Sequence, residues 1–450
     1  MRRWFAWVLA LRLAWQAEPT AAAAPVSYFR EVAPILRANC LSCHKPGKTK
    51  GNLDVTTHAA LLKGGKHGDT VVAGHPEHST LVENITGDEP EMPKEGEFLT
   101  KAEVAVITRW IAEGAHNDTP EKVSHTPAAP PVYHSLPSIP AMAISPDGTL
   151  LAVAGHHEIL LRSADGREVL AHLLGESPRL ETLAFSPDGK LLAACGGAAS
   201  EFGEIQIWDV ATRTLTRSIK ASGDVVFGVS FSPDATRVAV GGADKMVRAF
   251  TIADGQEVMH CDNHLDWVFA TAWSLDGKQL ATASRDKALK LIDVATGHLI
   301  DDISRPRDPW LMLARHPHEN IIAAGTDNGL VKLYKMEPRG GRLAEGDDKE
   351  NSALKELDRL PGPVTAIAWS ADGSMVAAAG AEGEVRLWKN SGDWKRAWTA
   401  REKVPPIFTI AFTPDGTRLA IAGADGRIRL LETQKGESAG GFDAVALAPQ

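Results

Sequence analysis

Seven versions of one hairpin phrase constrain this chain more than any other feature. Between residues 142 and 423 it reads "MAISPDGTLLAVAG", "LAFSPDGKLLAACG", "VSFSPDATRVAVGG", "TAWSLDGKQLATAS", "LARHPHENIIAAGT", "IAWSADGSMVAAAG" and "IAFTPDGTRLAIAG". The marker residues Ser145, Ser186, Ser232, Ser274, His316, Ser370 and Thr413 stand 41 to 54 residues apart, a period that suits four strands and their turns. In each copy an apolar strand enters a Pro-Asp-Gly type turn, where proline presets φ and glycine accepts a positive φ, and a strand of small apolar residues leaves it. A further strand follows in "EIQIWDV", "ALKLIDV", "EVRLWKN" and "RIRLLET". An acidic turn residue usually precedes it: Asp244, Asp286, Asp327, Glu382 or Asp425.

These hairpins and the strands after them resemble the WD-repeat family. The resemblance implies an all-β, seven-bladed WD40-like propeller over 138–446. The Trp-Asp dipeptide survives only at Trp208-Asp209, with Trp388-Lys389, Ile292-Asp293 and Leu431-Glu432 in the equivalent places. His264 matches the family's histidine ahead of a blade. Two segments compete for the outermost strand of the last blade, 436–446 and 131–138. The widest gap between markers holds "MEPRGGRLAEGDDKENSALKELDRL", whose charge and glycine content predict a surface insertion.

Upstream, Pro120, Pro127, Pro130, Pro131 and Pro137 make 118–137 a stiff, extended linker in expectation. It separates the repeats from a smaller domain at 25–117. The first 24 residues set Arg2 and Arg3 before an apolar run that ends in small residues, the layout of a secretory signal peptide, with cleavage expected between Ala17 and Ala24. No other segment holds the 18 or so consecutive apolar residues of a bilayer span, so the mature chain is expected to carry no transmembrane segment. A net charge of −9 and a pI near 6.0 argue against nucleic-acid binding, which requires a basic face.

The chemistry concentrates in "NCLSCHK", where Cys40, Cys43 and His44 form Cys-x-x-Cys-His. This is the attachment motif of c-type haem: two thiols three apart form thioethers to the haem vinyl groups, and the adjacent histidine reaches the iron. Zinc would need two more ligands of comparable spacing, which the remaining Cys195 and Cys261, far off in the repeats, do not supply locally. A thioredoxin-type dithiol would need a βαβ surround. "VSYFREVAPILRANC" places Phe29, Val32, Ile35 and Leu36 on one helical face leading to Cys40. Thr100 and Glu103 predict a capping box for a helix with the stripe Val104, Ile107, Trp110 and Ile111, ended by Gly114. Met92, the one methionine between the signal segment and the linker, sits between Pro90 and Pro93 and is the expected second axial ligand. His58, His67, His75 and His78 are its competitors, the last two reading as members of a polar turn.

Taken together, "YFREVAPILRANCLSCH", "GNLDVTTHAALLKGG", "GHPEHSTLVENITGDEPEMP" and "LTKAEVAVITRWIAEGA" resemble the planctomycete-type cytochrome C domain family over about 27–115. The resemblance implies a small all-α cytochrome c domain holding one covalent haem c, with Cys40 and Cys43 as thioether donors, His44 as proximal ligand and Met92 as distal ligand. The whole chain then reads as an exported, periplasmic or cell-surface cytochrome that carries single electrons and turns over no substrate. Asp88, Glu89, Glu91, Glu95 and Glu97, set against Lys94, predict a redox partner with a basic docking face, and the propeller is expected to bind a protein partner. Two other readings are an oxidoreductase with a second cofactor in the propeller and a haem-based sensor or scaffold. His156-His157 and His316-x-His318 are the histidine pairs such a second centre could use, though both fall at predicted turns. Cys195 and Cys261 read as two small buried side chains.

Overall fold

The computed structural model describes residues 25–41, 43–45, 48–66, 68–94, 97–119, 126–304, 307–337, 353–403 and 406–448. The expected signal segment, His67 and Glu95 lie outside them. The chain divides into two compact units, one up to Val123 and one from Ser124.

The first unit is built mainly from short helices. A π-helical turn at Tyr28–Val32 runs into α1 (Ala33–Asn39), and α2 (His58–Lys63), α3 (Thr80–Ile85) and α4 (Lys101–Ala112) follow. The two-residue strands β1 (His44–Lys45) and β2 (Lys48–Thr49) pair between α1 and α2, so the unit is not purely helical as expected. The helical face expected at 29–36 is also shifted. Tyr28, Val32, Ala33 and Leu36 are buried while Phe29 is exposed. The cause is Pro34, which has no N–H to continue an i→i−4 ladder. The preceding amides bond five residues back, Val32 N to Ser27 O and Ala33 N to Tyr28 O, and the wider turn carries the apolar face from Phe29 to Tyr28. α4 follows its sequence signals: Thr100 Oγ1 accepts from Glu103 N, Glu103 Oε2 accepts from Thr100 N at 2.8 Å, and Gly114 takes φ 103° past the end. Its buried face of Ile107, Trp110 and Ile111 meets Tyr28, Leu36 and Leu61 in one core.

The second unit is a seven-bladed β-propeller. Each blade is a four-stranded antiparallel sheet, at 142–174, 179–222, 226–261, 268–304, 310–357, 364–401 and 407–443. The first strands of neighbouring blades contact one another and form the inner ring. Second strands such as Leu191–Ala198 and Met375–Gly380 are buried on both faces because each blade is sandwiched between two others, which explains their small apolar residues. The repeated turn is held by its marker hydroxyl. Ser186 Oγ donates to Asp188 Oδ1 at 2.7 Å and accepts from Leu191 N at 2.9 Å, and Ser274 and Ser370 do the same. In blade 5, His316 Nδ1 accepts from the amides of His318 and Glu319 instead.

Of the two candidates for the last outer strand, 436–446 supplies it: Ser438–Asp443 pairs with Arg427–Glu432. Every blade is therefore one uninterrupted stretch of chain. The ring closes where the first strands of blades 1 and 7 meet, and the flanking chain adds Ile139 N to Gly423 O and Ala448 N to Tyr133 O. Buried Arg162 of blade 1 donates to Ala444 O at 2.5 Å and to Gly166 O at 2.6 Å, its guanidinium lying 5.3 Å from the Phe442 ring centre. The end of the expected linker packs here too, with Tyr133 and Leu136 against the apolar cluster shared by these two blades. The expected insertion also contributes structure, since Met336 is buried and Ala353–Leu357 is the fourth strand of blade 5. Residues 338–352 lie outside the described set. Among the described residues no helix is long and apolar enough to cross a membrane.

Candidate haem site

The Cys-x-x-Cys-His stretch begins where α1 ends. Cys40 caps the helix, its N–H bonded to Leu36 O at 2.9 Å, and its carbonyl accepts from Cys43 N at 3.2 Å and His44 N at 3.0 Å. Lys50 N bonds Cys43 O and Val55 N bonds His44 O, so the backbone of the motif is tied on both sides. Helix end and hairpin together fix where the three side chains start.

Cys40 is half-buried among apolar groups, and that burial pushes its thiol up to about 11. A nucleophilic dithiol or zinc thiolate calls for the opposite, an electropositive setting that lowers the thiol. Cys40 is thus kept as a neutral thiol at neutral pH. His44 is half-buried, and its Nδ1 is buried without a hydrogen-bond partner among the described residues. Leaving a buried polar atom unsatisfied costs about 1–3 kcal/mol, and no hydrogen bond at Nδ1 among the described residues offsets that cost.

Met92 is positioned by α3. Asn84 carries it, accepting from Met92 N at 2.9 Å while its own amide donates to Thr80 O at 2.7 Å. Met92, Cys40 and Leu41 all pack, partly buried, against the core of the unit, together with Ile35, Leu53, Val82, Leu99 and Val104. Of the expected haem residues, Cys40 and Met92 border one apolar core, and Cys43 and His44 follow Cys40 in the chain, a donor set and an apolar surface that would suit a haem held by the two thiols. Of the competing ligands, His58 is engaged elsewhere: its Nε2 lies 2.8 Å from Ala115 O, and its ring stands edge-on to Tyr28. His75 and His78 are exposed on the turn Pro76–His78. Asp88, Glu89, Glu91 and Glu97 are exposed around Met92, as is Lys94.

In the propeller, three of the four histidines in the two pairs face backbone carbonyls. His156 Nδ1 lies 2.9 Å from Pro178 O, and the Nε2 atoms of His316 and His318 face Gly373 O and Ala371 O. Cys195 and Cys261 are buried free thiols in blades 2 and 3. His264 bridges Asp286 Oδ2 at 2.8 Å and Thr282 Oγ1 at 2.7 Å. Sequence reasoning missed two buried carboxylates. Glu158 is held by Tyr133 and His172, and Glu204 by Ser177, Ser218, Gln206 and Lys220. Apart from Gln206, on the same strand as Glu204, their partners come from elsewhere in the chain, and no local pattern marks them. Sequence reasoning also missed an exposed aromatic group at the start of the inner strands of blades 3 and 4. Trp267 stacks on Phe227 and meets Phe269 edge-on, beside Leu265, which is 80% exposed.

Comparison with known families divides the chain in the same way. Residues 40–96 match the model for Planctomycete cytochrome C. Residues 229–313 and 387–447 match the Anaphase-promoting complex subunit 4 WD40 domain, and 354–389 match the WD domain, G-beta repeat. Among curated proteins the chain is similar to WD repeat-containing protein 55 of Bos taurus, 27% identical over 190 residues, covering 40% of this chain and 49% of the relative. It is 27% identical over 122 residues to the probable cytosolic iron-sulfur protein assembly protein 1 of Kluyveromyces lactis, covering 26% of this chain and 36% of that one. It is 28% identical over 159 residues to Elongator complex protein 2 of Arabidopsis thaliana, covering 32% and 19%. The chain thus spans half or less of the length of these relatives. The matches to the two kinds of family fall on separate parts of the sequence, one similar to Planctomycete cytochrome C and the other, within the β-propeller, similar to WD40 domains.

Proposed function

We propose that the chain is an exported c-type cytochrome, periplasmic or at the cell surface, that carries single electrons through one covalent haem while its propeller binds a protein partner. The observation that carries this reading is the placement of Cys40 and Met92 against the same apolar core, with Cys43 and His44 following Cys40 directly after the end of α1. Cys40 and Cys43 would hold the haem, and His44 and Met92 would bind its iron. Bound there, the haem supplies a reversible one-electron couple. The protein's part is to hold and to exclude. The Asn84 carbonyl fixes the loop of Met92, the hairpin fixes His44, and Leu41, Leu53, Val82 and Val104 keep water from the edge of the core. The chain acts as a carrier and not as an enzyme.

Expression with haem-maturation machinery tests this. The wild type should keep haem on a denaturing gel, whereas Cys40→Ala with Cys43→Ala should lose it entirely. Met92→Ala should retain the haem, lose the thioether-to-ferric charge-transfer absorption and show a lower reduction potential. Absence of covalent haem in the wild type after maturation would end the reading.

The exposed acids beside Met92 support a basic redox partner. Electron transfer to such a partner should slow markedly between low and physiological ionic strength, and a salt-independent rate would remove this docking mode. On the propeller, Leu265 and Trp267 are the supporting feature, since large apolar side chains left exposed together mark interaction surfaces.

A further inference from the structure

The turn that follows Gly74 brings together three metal-ligand side chains that the haem reading does not use. His75 Nδ1 lies 2.9 Å from Glu77 Oε1, and His78 Nε2 lies 3.7 Å from the same oxygen. One donor atom from each residue lies within 4.8 Å of the other two. The two imidazole rings are 5.7 Å apart at only 37°. From these positions we propose that His75, Glu77 and His78 form a surface site for a divalent transition-metal ion of the zinc–copper class. This inference is independent of haem attachment.

Two donors bound to one ion at about 2.0–2.1 Å stand no more than about 4.2 Å apart. The two nitrogen-to-carboxylate separations already satisfy that limit, and the remaining one needs at most a small rotation of an exposed ring. Two imidazoles and one carboxylate suit zinc and copper, whereas calcium and magnesium prefer all-oxygen sets. Binding through His75 Nδ1 puts the metal in place of the hydrogen bond to Glu77, with the ring's proton carried on Nε2.

The backbone beneath is fixed before any ion arrives. Pro76 restricts the turn, His78 N bonds His75 O at 3.1 Å, and Ser79 N bonds Pro76 O at 3.1 Å. Ser79, 2% exposed, donates from its hydroxyl to His75 O and accepts from Val72 N at 2.8 Å. Gly74 N bonds Ile111 O, tying the turn to α4. The three ligand side chains remain 59–70% exposed, which leaves the other coordination positions to water or to a donor from a partner.

The test uses the purified full chain, dialysed against Zn²⁺ and, separately, Cu²⁺, with bound metal counted by mass spectrometry and affinity measured by calorimetry. The wild type should take up one equivalent that His75→Ala and His78→Ala each weaken by about tenfold or more. His298→Ala, an exposed propeller histidine, should change nothing. Any metal held at Cys40, Cys43 and His44 is common to all four proteins and cancels in the comparison. Circular dichroism of the variants should match the wild type, because the substituted side chains are exposed. Equal metal uptake by wild type, His75→Ala and His78→Ala would overturn the site. So would a haem spectrum altered in either variant without loss of bound metal, since that would place these rings on the iron.

Discussion

Asp286 is a carboxylate whose neighbours dictate a pH dependence. Burial alone would raise its pKa. The hydrogen bond and charge of His264, with the amides of Leu265 and Ala288, outweigh burial and hold it well below the usual carboxylate range. A carboxyl lowered in the folded state stabilises above its unfolded value of about 3.9 and loses that contribution as pH falls toward the folded value. His264→Ala should therefore cost about 3 kcal/mol at pH 7, because it strands a buried anion. The gap between variant and wild type should narrow as urea unfolding is repeated below about pH 4. At this scale the sequence was legible wherever chemistry fixes spacing. Cys40, Cys43 and His44 stand out as candidates from their intervals alone, and His264 from its place ahead of a strand. The partners of His316 do not, because one of them is Gly373 O in the next blade, 57 residues on. The convergence of His75, Glu77 and His78 was hidden for a related reason: "HPEH" reads as a polar turn until the ring positions are known.

Elements were legible in proportion to how locally they are determined. α4 carries its start, its stripe and its stop within fifteen residues, and all three are realised. Thr100→Ala removes one half of the capping box and should cost about 1 kcal/mol. Hydrogen exchange in the first turn of α4 should then quicken about fivefold. The π-helical turn was not legible, since a 3.6-residue period assumes a ladder that Pro34 interrupts, and Phe29 was assigned to the face that Tyr28 occupies. The blades show both outcomes. Their hairpins follow from the repeated turn, but blade 2 is organised around Glu204, which joins Ser177, Ser218, Gln206 and Lys220 from three directions. Trp208, the surviving tryptophan of the Trp-Asp pair, reaches this network only through Gln206 Oε1. Glu204→Ala should destabilise the propeller by about 3 kcal/mol or more in denaturant unfolding, as several buried donors lose their acceptor at once.

At the scale of the whole chain, the number of blades was readable because seven copies leave one way to count, whereas the closing strand was not, since two segments of suitable length flank the repeats. The structure resolves this in favour of Ser438–Asp443 and puts Arg162 at the join. Arg162→Ala removes two charge-assisted hydrogen bonds and the contact with Phe442, and should cost about 3 kcal/mol. Limited proteolysis of that variant should release the segment after Glu432 before cutting any inner strand, and a cleavage pattern identical to wild type would contradict the assignment. Because each blade is spelled by consecutive residues, no strand has to be threaded through a neighbour when the circle is completed. A gene of this design can gain or shed a copy as a single cassette, so the perimeter of the ring can change by whole blades without rewriting any neighbouring strand.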